Sequence, residues 1–322
     1  MGASTPCSLC AGEASTVISL WDRRLKRLRT VCCDACGLLR TDPMPSEMEL
    51  ERYYGGHYRE DYQLAGRRPP ARHLRKSLRD ATRRRDRFRE FLSPGDRVLD
   101  FGSGSGEFLH VMRQAGFDVL GLEPGRTYSS YARETYGVEI LEQSYTQADL
   151  PSGVFALITA NHVIEHLRDP VEALRRMCDW LAEDGVLMVS TPDVTASDRP
   201  TYERLHFAHL YNFTPQTLEL AARAAGLEAD PRFPQTGTDR VFRKASPSGK
   251  PVLQPGCADA IRAILPDIGP GAHIRSGRWI APMLHKVARW FVEVRALRRE
   301  HAPAETRKGA VSAGQTAPRI AE

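Results

Sequence analysis

A doubly wound α/β fold with a mostly parallel sheet is what this 322-residue sequence predicts, and three observations carry the prediction. Four apolar runs of buried-strand length recur along the chain: RVLDF from Arg97, DVLGL from Asp118, FALITA from Phe155 and GVLMVS from Gly185. Helical stretches such as 107–115 and 171–182 fall between them, and strands alternating with helices fold as parallel units. The first strand runs directly into Gly102, Gly104 and Gly106, after which a helix opens near Glu107.

Taken in order, residues 1–42 carry most of the cysteines and form a first segment. Residues 43–92 follow as a tyrosine-rich linker and a basic helix. In that helix, expected over 72–92, Leu74, Leu78, Ala81, Phe88 and Leu92 recur at three- and four-residue spacings. Ser93-Pro94-Gly95 ends it. Residues 93–245 form the alternating core, closed by a helix over 214–225 with Thr214 as cap and Pro215 at its first position. Residues 246–300 form an extension. Its part 246–271 is rich in Pro and Gly and reads as irregular, and 279–299 reads as a wide-striped helix with Ile280, Met283, Leu284, Val287 and Phe291. The tail 301–322 is rich in small and polar residues and predicts disorder.

Composition bounds the function. No run of eighteen apolar residues occurs, so no transmembrane helix is expected. The N-terminus MGASTPC shows no basic-then-apolar leader, and a cytoplasmic protein is the expectation. The net charge of +5 is uneven: residues 67–89 hold eleven Arg/Lys against two Asp, so the rest of the chain sums to −4. Five of the seven cysteines fall within the first 36 residues. Without an export signal, such clustering argues for a metal rather than for disulfides.

The glycine loop is the most informative stretch. Glycines tolerate positive φ and let backbone approach a ligand, and the helix start behind them offers unpaired N–H groups. A dinucleotide site would read G-x-G-x-x-G, whereas here the spacing is G-x-G-x-G with Asp100 two residues before the first glycine. A buried acid there repels a pyrophosphate and favours a cationic ligand. Glu123 closes the next strand, seventeen residues past Gly106, where an acid can accept both hydroxyls of a ribose.

The ordered set VLDFGSGSG, GLEP, ITANHVIEHLRDP and LAEDGVLMVSTP resembles the class I S-adenosylmethionine-dependent methyltransferases over roughly residues 93–243. The resemblance implies a Rossmann-like, seven-stranded, mostly parallel sheet with S-adenosyl-L-methionine over the first two strand ends. It also implies that Gly102, Gly104 and Gly106 pass under the methionine moiety, that Asp100 faces its charged end, and that Glu123 takes the ribose. On the same basis Asp149 meets the adenine and Asn161 faces the reaction centre.

Cys7-x-x-Cys10 and Cys33-x-x-Cys36 stand 22 residues apart. Two such pairs supply four thiolates in a tetrahedron, which suits structural zinc with no position left open for catalysis. Cys32 competes in register, but Cys33 completes the spacing. C-S-L-C and C-D-A-C-G-L-L-R-T-D-P-M-P resemble the zinc-ribbon head of a subset of these methyltransferases. That likeness implies a small-molecule, sugar or lipid-linked glycan acceptor.

His162, Glu165 and His166 follow the fourth strand, and His206 and His209 follow the fifth. Methyl transfer is a displacement governed by positioning, and an alcohol acceptor must also lose a proton, for which a nearby histidine is the usual base. His162 and His166, at i and i+4, would share a helical face, with Glu165 orienting one of them. His162, Glu165, His166 and His209 also make a conceivable divalent-metal set, although His162 stands where metal-binding relatives carry a first Glu.

Tyr53, Tyr54 and Tyr58 are candidates for a lid or for linker packing. The basic helix reads first as a solvated face, then as an anionic-lipid or phosphate contact. A peripheral membrane contact through the 279–299 helix, with Trp279, Trp290 and Phe291, is a lesser option than packing on the core or on a second copy. Two other functions compete: an RNA methyltransferase, and a non-catalytic cofactor-binding module. Nucleic acid is disfavoured because Asn161-His162-Val163-Ile164 replaces the signature of exocyclic-amine methylation and the tail is not lysine-rich.

Overall fold

A computed structural model describes residues 6–52, 71–197, 199–245, 253, 255–265, 270–277, 280 and 284. The tyrosine-rich segment with Tyr53, Tyr54 and Tyr58, most of the 279–299 helix and the 301–322 tail lie outside them. Residues Met1–Gly269 make one unit and Pro270–Glu322 a second.

The described residues of the first unit build two sheets. The smaller begins with β1 (Ser15–Trp21), β2 (Arg27–Cys33) and β3 (Leu39–Thr41). Helix α1 (Glu47–Arg52) follows, opened by Ser46, whose hydroxyl and amide both bond the Glu49 carboxylate. Helix α2 (Ala71–Phe88) is shorter at its C-terminal end than the pattern predicts, because residues 89–92 turn and tuck Leu92 under the sheet.

The larger sheet then runs β4 (Arg97–Phe101), α3 (Glu107–Gln114), β5 (Asp118–Leu122), α4 (Arg126–Tyr136), β6 (Glu139–Leu141), β7 (Phe155–Asn161), α5 (Pro170–Trp180) and β8 (Leu181–Ser190). Helix α6 (Thr201–Arg204), β9 (Tyr211–Asn212), α7 (Pro215–Ala224), β10 (Leu227–Ala229) and β11 (Asp239–Lys244) complete the core. Strand order is β10-β11-β8-β7-β4-β5-β6. All pairs are parallel except β11 with β8 and β10 with β11.

After β4 the chain winds outward through β5 and β6, then returns to the other side of β4 as β7. The carboxyl ends of β4 and β7 therefore flank the point where the winding reverses, the place where open α/β sheets bind ligands. Side chains along β4 alternate between two cores: Leu99 and Phe101 face Ile158, Leu187 and Trp180, while Val98 faces Phe108, Met112 and Phe88. Asp100 falls on the second face, beneath α2 and α3.

The small sheet has the order β1-β2-β3-β9, all antiparallel. Its last strand belongs to the chain after β8, so the cysteine-bearing segment shares a sheet with the core. Segment 257–265, expected to be irregular, contains helix α8 (Cys257–Ile264), whose Ile261 packs with Ile18, Cys32 and Leu39 of the small sheet. In the second unit, α9 (Pro270–Arg275) is followed by Gly277 at φ 67.

Candidate functional site

The glycine loop leaves β4 with all three glycines at positive φ: 74 at Gly102, 53 at Gly104 and 83 at Gly106. Gly102 and Gly106 are also pinned by close packing, since a Cβ at Gly102 would strike Val163 and one at Gly106 would lie 2.6 Å from Ala132 Cβ. Gly104 differs: a Cβ there would meet nothing within 4 Å. The crest of the loop thus faces open space while its flanks are fixed. Gly104 N–H donates to Glu123 Oε2 at 3.0 Å and Gly125 N–H to Oε1 at 2.8 Å, so one carboxylate ties the loop to the end of β5.

Asp100 is buried, with Thr159 Oγ1 donating to its Oδ1 at 2.6 Å from the paired position on β7. Burial pushes its carboxyl up, against the pull of Arg84 and of the Thr159 hydroxyl. The Arg84 guanidinium stands 3.9 Å from Asp100 Oδ1 and 4.3 Å from the centre of the Phe108 ring. Sequence reasoning left all the arginines of α2 in solvent. The available signal was spacing: Arg84 sits in the stripe Ala81, Arg84, Phe88, an arginine at an otherwise apolar position. Asp149 is exposed in the loop after β6, and Arg176 of α5 holds that loop through the carbonyls of Tyr145 and Ala148. Asn161 ends β7, opposite Ser190.

Immediately beyond it, His162 adopts φ 57, unusual for a residue with a side chain, and its N–H donates to Ser190 O at 2.7 Å. The following residues form a single 3-10 turn, Ile164–His166, so His162 and His166 do not share the face of one helix as the spacing suggested. Both nevertheless border Glu165: His162 Nδ1 lies 3.5 Å and His166 Nε2 3.8 Å from its Oε1. Glu165 is 1% exposed, and neither of its carboxylate oxygens accepts a hydrogen bond. Burial works to raise its pKa, but the neighbouring His162 and His166 outweigh it and hold the carboxyl below its usual range.

His166 Nδ1 donates to Ala208 O at 2.8 Å, which leaves Nε2 on the side of Glu165. The rings of His166 and His209 meet edge-on with centres 5.0 Å apart, and His206 continues the row 5.4 Å further. Burial pushes His209 down to about 3 and His206 to about 2, so both rings are neutral. Glu165, His166 and His209 offer ligand atoms within 4.8 Å of one another.

A second cluster lies in the small sheet. Cys7 and Cys36 Sγ are 3.6 Å apart, Cys10 and Cys33 Sγ 3.5 Å, and all four lie within 4.8 Å of one another. The two C-x-x-C turns repeat one backbone pattern. Cys7 N bonds Gly12 O and Ala11 N bonds Cys7 O, just as Cys33 N bonds Leu38 O and Gly37 N bonds Cys33 O. The residue after each second cysteine takes positive φ, 59 at Ala11 and 79 at Gly37. Cys32 turns away into the core with Ile18 and Leu39, and burial pushes its thiol up to about 12. Cys33 is driven far down by hydrogen bonds from Cys36 and Cys7. Among the remaining cysteines, Cys178 bonds Gly226 O.

A glycine loop at the reversal point of a seven-stranded, mostly parallel sheet, with a buried acid behind it and another acid at the next strand end, defines a class I methyltransferase fold. Residues 71–231, half of the chain, match the family model of the methyltransferase domain, and the chain belongs to that family of S-adenosylmethionine-dependent enzymes. It is 32% identical over 106 residues to the C-methyltransferase NovU of Streptomyces niveus, covering 31% of this chain and 25% of that protein. With a ubiquinone biosynthesis O-methyltransferase of Caulobacter sp. (strain K31) it shares 33% identity over 104 residues, 30% of this chain and 41% of the other. A solved S-adenosylmethionine-dependent methyltransferase from Archaeoglobus fulgidus is 20% identical with a TM-score of 0.42, covering 48% of this chain and 72% of that one. The matches span a quarter to about half the length of these curated relatives. No helix among the described residues is long and apolar enough to cross a membrane.

Proposed function

We propose that this enzyme moves the methyl group of S-adenosylmethionine onto a hydroxyl of a small molecule, sugar or lipid-linked saccharide in glycan or secondary-metabolite biosynthesis. The observation that carries the site is Glu165, a buried carboxylate with no hydrogen bond of its own, set among three histidines at the carboxyl end of β7. Buried polar groups are ordinarily satisfied, and exceptions concentrate where a protein does chemistry.

The residues of the loop fit the cofactor. Gly104 presents open backbone, and the carboxylate of Glu123, which accepts the Gly104 and Gly125 N–H groups, stands at the end of β5 beside it. Asp100 adds a buried acid near the end of β4, and Asn161 ends the neighbouring β7; Asp149 remains the residue assigned to the adenine. S-Adenosylmethionine, when bound, supplies an electrophilic methyl group on a positively charged sulfur.

His162 is the base. Its side chain is 56% exposed at the strand end, with Nδ1 toward Glu165, so Nε2 takes the proton from the acceptor hydroxyl. Glu165 stabilises the imidazolium that forms, as the buried acid of a catalytic dyad does. His166, 3.8 Å from the same oxygen, helps to hold Glu165 ionised, while the neutral His209 ring packs edge-on against His166. Displacement then needs only alignment of the oxygen with the methyl group.

The cysteine cluster fits structural zinc. A tetrahedron with Zn–S of about 2.3 Å has S–S edges of about 3.8 Å, close to the 3.5 and 3.6 Å found here. Four thiolates close the coordination sphere, so the ion would hold the small sheet and take no part in methyl transfer.

Screening purified protein with S-adenosylmethionine against nucleotide-sugars and lipid-linked glycans tests the reading. Methylated product should form, and Glu165→Gln should slow its formation by about 10²–10⁴-fold with cofactor affinity unchanged in calorimetry. Undiminished turnover in Glu165→Gln would remove the base assignment. A product methylated on carbon would replace the hydroxyl as target.

A further inference from the structure

The loop that carries His206 and His209 belongs to the small sheet rather than to the large one. Strand β9 pairs with β3, Leu39 opposite Asn212 and Arg40 opposite Tyr211. Just before it, Thr41 holds the loop twice: its N–H donates to Leu210 O at 2.9 Å, and its hydroxyl donates to His209 O at 3.3 Å. At the far end, Arg23 N–H in the β1–β2 turn donates to Leu205 O at 3.0 Å, and Lys26 lies over the Phe207 ring at 4.2 Å. The cysteine-bearing sheet thus grips residues 205–212 at both ends and at Thr41.

From the opposite side, the same loop is bonded to the residues after β7. His166 Nδ1 donates to Ala208 O at 2.8 Å and the Tyr211 hydroxyl to Arg168 O at 3.0 Å. Thr41 and Ala208 therefore fix two of the three histidines around Glu165, one through His209 O and the other through His166 Nδ1. The second C-x-x-C turn in its turn sets β3: Cys33 N–H bonds Leu38 O, and Leu39 follows at once.

We propose that Thr41 is a positioning residue for His209 and His166, and that the cysteine cluster, by holding β3 in register, is coupled to the methyl-transfer site. The coupling is one of geometry: a β3 that slips carries Leu210 and His209 with it, and Ala208 O then no longer orients the His166 ring. This inference rests on the assignment of the Glu165 surroundings to methyl transfer, and its test does not require the acceptor.

The experiment uses the full chain labelled with ¹⁵N-histidine and loaded with Zn²⁺, with and without S-adenosylmethionine. Thr41→Val, which keeps shape and removes the hydroxyl, should move the ring resonances of His209 and His166 while leaving those of His110 in place. Thr41→Ser, which restores the hydroxyl, should return them. Cofactor affinity by calorimetry should stay within about twofold throughout, since Thr41 belongs to the other sheet. Unmoved His209 and His166 signals in Thr41→Val would overturn the proposal, as would failure of serine to restore them.

A second arm strips the metal from the wild-type chain with a chelator and follows amide exchange. Tyr211 and Asn212 should exchange faster while β4 and β7 keep their protection. Equal protection at β9 before and after stripping would sink the coupling. Methyl transfer that survives His209→Ala would instead count against the site assignment, leaving the resonance test of Thr41 standing on its own.

Discussion

The two side-chain clusters of this protein are built on opposite terms. The four cysteines sit in two backbone turns of one design, each cysteine pair repeating the same N–H to carbonyl bonds, and nothing in the set needs a partner from outside except a cation. Around Glu165 the order is reversed. The carboxylate is buried without a hydrogen bond, one flanking histidine takes an unusual backbone conformation, and another, His209, is kept neutral by burial. A closed and self-consistent cluster stabilises a fold, whereas an unsatisfied one stores free energy that a substrate or a proton can release.

The largest effect should come from breaking the closed cluster. Replacing Cys33 and Cys36 with Ser removes two of the four proposed ligands, and structural zinc contributes folding free energy outright, about 10 kcal/mol or more in isolated zinc-binding peptides. Metal content by mass spectrometry should fall below one-tenth of an equivalent, and the cooperative thermal transition should drop or split. Full zinc content in the double variant would refute the ligand set.

Next in size is the glycine loop. Gly104→Asp forces a side chain into φ 53 and sets a second carboxylate beside Glu123. An L-residue there costs roughly 1–2 kcal/mol, and the added charge acts on the same cofactor site. S-Adenosylmethionine affinity should fall by more than tenfold in calorimetry, with circular dichroism unchanged. Retained affinity would mean that the loop does not hold the cofactor.

A third test separates the clusters by pH. His209 and His206 have native values near 3 and 2 against an ordinary 6.5, so the unfolded chain binds more protons than the native one between those limits. Stability therefore rises with pH from about 3 to 6.5 and is flat above, by at most about 1.4 kcal/mol per pH unit for each histidine. Thermal midpoints should decline between pH 6.5 and 4, and His206→Asn should flatten the slope. An unchanged slope would place the acid sensitivity elsewhere.

Much of the large sheet is readable in sequence because each buried strand is a short apolar run and its loop carries glycines that only positive φ explains. The convergence of Cys7, Cys10, Cys33 and Cys36 is also readable, since two C-x-x-C turns bring four thiols together. Strand β9 gives no such signal: two residues, Tyr211 and Asn212, pair with a strand some 170 positions earlier, and periodicity reports only local order. Arg84 was hidden because a charged residue defaults to solvent unless its place in an apolar stripe is weighed. Helix α8 was masked by the Pro and Gly around it, although Ala258 and Ile261 bury at helical spacing.

The pairing of β3 with β9 also sets an order on synthesis. Leu39 and Arg40 leave the ribosome about 170 residues before Asn212 and Tyr211, on the order of ten to thirty seconds at 5–20 residues per second. Throughout that interval all four clustered cysteines have been made, but β3 lacks the strand that pairs with its second edge in the finished sheet. A newborn chain thus has its cysteine turns long before it has its histidine loop.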